Sequence, residues 1–322
     1  MGLRLAVVAF FATVLATMSG AGAEEAYPSR PIRLIVPYSA GGASDVMARY
    51  FGQKLTELWK ANVVIENMAA AAGTVAYTTV ARAQADGYTL AYGTSSIAVN
   101  AALRTKSPYD PVKDFRPISS LLVVQNVLVV PVSLPVKSVA ELVALAKQRP
   151  GALNYVSLGP GSTPHLSMEL FRSTAGITVQ QVPYKLTTQA YTDLIDGRVQ
   201  LWLASMPSAL PFIQSGRLRA LAVAGPARSV ALPNVPTLIE SGVAAETTFW
   251  QGLFAPAGVA PDIAAKLNRA VHDIVAQPET KAWYLKLGAE LGAGTPEQLA
   301  AEVRKEMEKW TAIAKQIGIQ TD

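Results

Sequence analysis

The chain has 322 residues, 28 Lys and Arg against 23 Asp and Glu, two histidines and no cysteine. Its formal charge of +5 is diffuse, with acids between the basic residues, so no basic block points to nucleic acid, and acidic small molecules suit it at least as well. The missing cysteines exclude disulfides, iron–sulfur clusters and zinc ribbons, and His165 and His272 are too few for a multi-histidine metal site.

Residues 1–23 read as a secretory signal. Met1-Gly2-Leu3-Arg4 is a short basic start, residues 5–18 are apolar, and Ala21-Gly22-Ala23 supplies a small-residue cleavage site before Glu24. The apolar stretch is shorter than the roughly 20 residues that a membrane-spanning helix needs. A periplasmic protein, released by signal cleavage, is expected. The remainder is long enough for two domains.

Beyond the signal, strand and helix patterns alternate. The β-branched run 32–36 predicts a strand. Residues 44–59 predict a helix with Val46, Met47, Tyr50, Phe51, Leu55 and Leu58 on one stripe. A strand at 63–65, a helix at 73–83 and a strand at 88–92 follow. The run LLVVQNVLVV (121–130) is too short and too interrupted by Gln125 and Asn126 to span a membrane; it predicts one or two buried strands.

The middle repeats the scheme: helix 139–147, strand 155–157, helix 164–175 with Thr163 as its N-cap, strand 179–182, helix 189–195, and strands 199–203 and 218–223. Residues 250–256 predict one more strand. Three helices end the chain, at 261–276, 279–287 and 296–317; Thr295 and Gln298 form a capping box for the last. Its stripe is Leu299, Val303, Met307, Trp310, Ile313 and Ile317.

Such alternation predicts an α/β architecture, and two series of similar size predict two lobes with mostly parallel sheets. Ligands of such sheets sit at the carboxyl ends of strands. Two of the loops there share a design. PYSAGGASD (37–45) and SLGPGSTPHL (157–166) each follow a strand, carry two glycines and a hydroxyl residue, and open a helix. Each presents unpaired N–H groups and the positive end of a helix dipole, a combination that holds anions without formal positive charge. Taken singly, each loop reads first as a tight turn with a capped helix; it is their pairing in two lobes that brings the anion reading level with it.

Asp45 is awkward for an anion site. It reads either as a first-turn acid complementing its own helix or as an acceptor that holds the loop through its N–H groups. His165 reads as a surface histidine near a helix start or as a neutral imidazole donating to ligand. His272 reads as a surface residue of its helix. No nucleophile elbow, zinc-protease motif or phosphate-binding P-loop occurs, and Ser162 with His165 lacks an orienting acid. No catalytic residue, metal or cofactor is expected.

The ordered segments YPSRPIRLIVPYSAGGASDVMAR, ADGYTLAYGTSS, SPYDPVKDFRPIS, SLGPGSTPHLSMELF, VPYKLTTQAYTDLIDGRVQL, GRLRALAV and LPNVPTLIESG resemble the tripartite tricarboxylate transporter receptors, also called Bug or TctC-type solute-binding proteins. The resemblance runs from Tyr27 to the final helix. It implies a fold like the type II periplasmic binding proteins, in which two α/β lobes close on a ligand in the cleft between them. The lobes are expected at 24–123 plus 248–322 and at 124–247.

The resemblance also implies a small carboxylate ligand, often a dicarboxylate, held mainly by backbone amides and ordered water. The matching candidates are Tyr38, Ser39, Gly41, Gly42 and Asp45 on the first loop, and Gly161, Ser162, Thr163 and His165 on the second. Ser95 and Ser96 match a third loop; Ala72, Gly73, Tyr184 and Ser205 complete the set. Membrane subunits of a tripartite transporter are the implied partner, nucleic acid is not, and a monomer is expected. A sensory receptor that presents ligand to a signalling membrane protein is the alternative, ahead of an exported hydrolase.

Two departures stand out. Where the family commonly has a proline–glycine-rich loop, this chain has Ala69-Ala70-Ala71-Ala72-Gly73, and Leu186 stands where glycine commonly follows VPYK. Each alanine restricts the backbone and adds a methyl group. A stiffer, more apolar wall favours a ligand with apolar or aromatic bulk between carboxylates, such as a phthalate-type diacid, over citrate or an amino acid.

Overall fold

The structure, a computed structural model, describes residues 27–159 and 162–317, without the side chains of Thr163, Gln316 and Ile317. The expected signal and the candidate Gly161 lie outside the described residues, and of Ile317, the last residue of the final helix's stripe, only the backbone is described.

The first lobe begins with β1 (Ile32–Val36), α1 (Ala43–Trp59), β2 (Val63–Asn67), α2 (Thr74–Ala81), β3 (Thr89–Thr94) and α3 (Ser96–Leu103). β1 pairs in parallel with β2 on one side and β3 on the other. Its β-branched residues are buried on both faces, which is the setting such a run fits. α1 buries Met47, Phe51 and Leu55, successive turns of one face. Val46, on the flank of that stripe, and Leu58, in the last turn, are 41% and 39% exposed. Tyr50 instead stacks on Trp283, with ring centroids 4.1 Å apart.

β4 (Phe115–Pro131) is a single strand of 17 residues, roughly 55 Å long at about 3.3 Å per residue. It carries the whole LLVVQNVLVV run. The second lobe follows it: α4 (Val139–Gln148), β5 (Asn154–Ser157), α5 (Thr163–Ala175), β6 (Gln180–Pro183), α6 (Thr187–Ile195), β7 (Trp202–Ser205), α7 (Met206–Gln214) and β8 (Leu218–Val223). β9 (Thr248–Pro256) returns the chain to the first lobe, where α8 (Pro261–Ala276), α9 (Pro278–Lys286), β10 (Ala289–Leu291) and α10 (Pro296–Ile317) complete it. The capping box of α10 is present in both directions: Thr295 N–H donates to Gln298 Oε1 at 2.8 Å, and Gln298 N–H to Thr295 Oγ1 at 3.2 Å.

β4 belongs to both lobes. Its first part pairs with β9 as far as Gln125, opposite Thr248, and with β10. From Asn126, opposite Ser205, it pairs with β7, and from Val127 with β8. Among the named strands parallel pairing is confined to β1–β2, β1–β3 and β5–β6. The sheets are therefore mixed, because β4 and β9 cross between the lobes in opposite directions and bring antiparallel ladders to each. One apolar cluster around Leu34, Phe51 and Leu253 fills the first lobe and continues into the second through Tyr191, Trp202 and Leu210, while another around Leu142, Phe171 and Leu203 lies wholly in the second. Each such side chain, fully buried, contributes about 1.5–3 kcal/mol of transfer free energy.

Candidate ligand-binding cleft

The loop between β1 and α1 is held by a circuit of its own polar groups. Gly41 has φ +80°, a left-handed backbone that its lack of a Cβ permits. Its N–H donates to Asp45 Oδ2 at 2.9 Å, and Arg49 Nε donates to the same oxygen at 3.0 Å. Arg49 also donates to Asn67 Oδ1 at 3.1 Å, and Asn67 Nδ2 donates to the Tyr38 carbonyl at 3.0 Å. Burial pushes the Asp45 carboxyl up, but hydrogen bonds from Arg49, the Gly41 N–H and Asn67 outweigh it and hold it below its ordinary value. Asp45 thus shapes the loop from behind. The N–H of Gly41 is spent on it, whereas the first-turn N–H groups of α1, at Ala43 and Ser44, have no partner within the helix.

On the second loop, α5 starts at Thr163 with Ser162 as its N-cap, one residue earlier than expected. The Ser162 hydroxyl donates to the Gly159 carbonyl at 2.7 Å and closes the turn. His165 is buried and lies nearly parallel to the Tyr155 ring, 6.5 Å away. Burial lowers its imidazole below the usual histidine range; Glu169 pulls the other way and Arg172 adds to the lowering.

An inner cavity lies between these loops, where β4 passes from one lobe to the other. Four helix starts reach it: Gly42, Ala43 and Ser44 of α1, Pro164 of α5, Thr187 of α6, and Ser205 with Ser208 of α7. Its remaining polar wall is Thr94, Asn126 and Gln251, and its apolar wall includes Trp202 and Phe249. Among the described residues, none that lines it is charged. Asn126, Gln251 and Trp202 are 0%, 4% and 2% exposed, and Asn126 Oδ1, Gln251 Oε1 and Trp202 Nε1 have no hydrogen-bond partner among the described residues. Buried polar atoms are rarely left so, since an unmade bond costs about 1–3 kcal/mol. These atoms leave the cavity able to hydrogen-bond a polar guest.

A wider outer compartment adjoins it. Tyr38 and Leu158 line both. The outer walls are Ser39, the 69–73 loop, Arg104, and Pro183 to Lys185. Ala71 and Ala72 have φ of 48° and 54°, left-handed conformations that cost a residue with a Cβ about 1–2 kcal/mol each. Asn100 Nδ2 donates to the Ala72 carbonyl at 2.8 Å and holds the loop there.

Of the residues expected from sequence, Tyr38, Gly42 and Ser205 line the inner cavity, and Ser39, Ala72, Gly73 and Tyr184 the outer compartment. Gly41 faces a separate groove with Thr188 and Phe212. Asp45, Ser162 and His165 stand behind the walls. So do Ser95 and Ser96, both fully buried; the Ser96 hydroxyl lies 2.8 Å from those of Tyr77 and Thr94 and fixes Thr94 at the cavity floor. The backbone of Thr163 begins α5, and its side chain lies outside the described residues. Thr187, Ser208, Asn126, Gln251 and Trp202 were not among the expected residues. One of them carried a signal: Gln125-Asn126 is a polar pair within an otherwise apolar run.

The sequence profile described as tripartite tricarboxylate transporter family receptor matches residues 47–319. Protein BugT of Bordetella pertussis is 34% identical over 317 residues, covering 98% of this chain and 97% of its own length. Among solved structures, R. palustris Rpa4515 with adipate is 37% identical with a TM-score of 0.88, covering 91% of this chain and 99% of that one. MatC from Rhodopseudomonas palustris with bound malate is 31% identical with a TM-score of 0.85, covering 89% and 99%.

Proposed function

The chain belongs to the tripartite tricarboxylate transporter receptor family, a family of periplasmic solute-binding proteins, and from that premise we propose that it captures a dicarboxylate and delivers it to such a transporter. The observation that carries this reading is the convergence of four helix N-termini on one uncharged, polar-lined cavity. Each helix end favours an anion by up to about 2 kcal/mol in a partly buried setting. A carboxylate held in this way needs no buried lysine, whose desolvation would cost several kcal/mol. Binding of that kind is compatible with release to a transporter.

Closure follows from the placement of those helix starts. α1 belongs to the first lobe and α5, α6 and α7 to the second, so a carboxylate touching all four favours the arrangement in which the lobes meet. The lobes span 24–123 plus 248–322 and 124–247, with the hinge where β4 and β9 cross. The ligand contacts are those of the inner cavity and of Tyr38, Ser39, Ala72, Gly73 and Tyr184, with Asp45, Ser162 and His165 positioning the two loops. Chain export by the 1–23 signal and a monomeric state complete the reading.

Two relatives whose structures hold adipate and malate support a dicarboxylate. The methyl-lined 69–73 wall supports an apolar or aromatic body between the carboxylates. Calorimetry against adipate, malate, citrate, phthalate, terephthalate and amino acids tests both levels. Binding to a diacid with an apolar body is expected. No binding to any dicarboxylate would overturn the function, and a preference for citrate or an amino acid would overturn the ligand class.

A further inference from the structure

The outer compartment differs in chemistry from the inner one. Its lining includes two cations, Arg104 from the end of α3 in the first lobe and Lys185 from the β6–α6 connection in the second. Among the described residues, no Asp or Glu lines it. Tyr184 also lines it, with its hydroxyl engaged in donating to Asp193 Oδ2 at 2.9 Å. Tyr38 and Leu158, an aromatic and an aliphatic side chain, stand on the boundary that the two compartments share. An uncharged anion site, an apolar boundary and a cationic vestibule therefore follow one another along the cleft.

From this order we infer that Arg104 and Lys185 form a second anion subsite that reads the far end of the ligand. This rests on the carboxylate reading of the inner cavity and adds to it a ligand class: an elongated dianion whose apolar middle crosses between Tyr38 and Leu158. Short, compact acids fill the inner cavity alone and gain nothing from the cations. Because the two cations come from different lobes, a far carboxylate between them also draws the mouth together. Lys185 is exposed at the rim, where salt attenuates its attraction for a carboxylate, whereas Arg104 is half-buried with its Nε shielded from solvent and is screened less.

The test compares adipate with hexanoate, which keeps the chain and lacks one carboxylate, by calorimetry on the full chain. Wild-type protein, Lys185→Gln, Arg104→Gln, Arg104→Lys and the double Gln variant are measured at low and moderate salt. The ratio of adipate to hexanoate affinity is expected to fall about tenfold in the double variant, the loss of one charge-assisted contact. Arg104→Lys is expected to keep part of the ratio, and raising salt is expected to lower it in the wild type more than in the double variant. Lys185 is exposed, so its single variant reads out the subsite even if Arg104→Gln fails to fold. A ratio unchanged in Lys185→Gln and the double variant, with adipate still bound, overturns the second subsite alone. Absence of binding of either acid to wild-type protein overturns the carboxylate reading, and the subsite with it.

Discussion

The Ser39 hydroxyl lies 3.4 Å from that of Thr187, a contact across 148 positions of sequence that joins the first-lobe loop to the start of α6. Thr187 also lines the inner cavity, so one side chain touches both the facing lobe and the guest's space. Thr187→Val keeps the shape and removes the hydroxyl, a loss of about 1 kcal/mol for a neutral hydrogen bond. Carboxylate affinity is expected to weaken about fivefold with little change in Tm. Calorimetry and thermal unfolding on the same samples check this; unchanged affinity would mark the contact as incidental.

Gly41 and Gly42 are neighbours with opposite demands. Gly41 has φ +80°, whereas Gly42 has φ −79°, which any residue adopts. A Cβ on Gly42 would instead stand 3.3 Å from the Ser39 carbonyl and 3.4 Å from Thr187 Oγ1, at the cavity wall. Gly41→Ala is expected to lower stability by about 1–2 kcal/mol. Gly42→Ala is expected to weaken ligand binding with a smaller change in stability. Denaturant unfolding paired with calorimetry separates the two effects, and identical profiles would contradict the assignment.

Asp45 supplies a pH dependence. Its folded pKa lies below the unfolded value of about 3.9, so its stabilisation is fully present above that pH and is lost as pH falls through the folded value. Asp45→Asn is expected to lower stability by about 1–3 kcal/mol at neutral pH, the range for a hydrogen-bonded buried charge. The variant and wild-type curves should converge below about pH 4. Thermal unfolding from pH 3 to pH 8 measures the gap; a gap of constant size would mean that the carboxylate charge is not what holds the loop.

His165 acts in a different window. Its folded pKa is depressed, mainly by burial, so the unfolded chain takes up a proton from about pH 6.5 downward before the folded one does. Stability is expected to decline as pH drops below that value, and His165→Gln is expected to flatten the decline. Urea unfolding between pH 5 and pH 7.5 provides the slope. An unaltered slope in the variant would locate the effect elsewhere.

The outer wall carries backbone strain. Ala71→Gly and Ala72→Gly remove a Cβ from left-handed positions, a relief of about 1–2 kcal/mol each that the greater freedom of unfolded glycine offsets by about 0.5–1 kcal/mol. A modest gain in Tm is therefore expected. Loss of two methyl groups should weaken binding of diacids with an apolar body relative to malate. A fall in Tm would show that the wall is held against relaxation by something other than its φ angles.

The two glycine-rich loops at the cleft were legible because they depend on local chemistry: glycines, hydroxyls and a helix start in sequence order. The floor was not. Thr94 and Gln251 become neighbours only because β3 and β9 pair antiparallel in that register, which no local pattern encodes. α3 was hidden because it is buried nearly all round and lacks an amphipathic period. α7 was hidden by Pro207 and Pro211, the first of which suits a helix start while the second interrupts its interior. Asp45 fell between these cases: its position was evident, but its partner Asn67 comes from the next strand.

The long strand β4 also sets an order of assembly. Its second part finds β7 and β8 once the chain through Val223 has been made. Its first part waits for β9, which inserts between β3 and β4 and ends at Pro256. During synthesis the downstream half can therefore close while the upstream half still exposes two unpaired strand edges, β3 and β4, to other chains. A chaperone that guards this nascent chain has its longest task at the end made first.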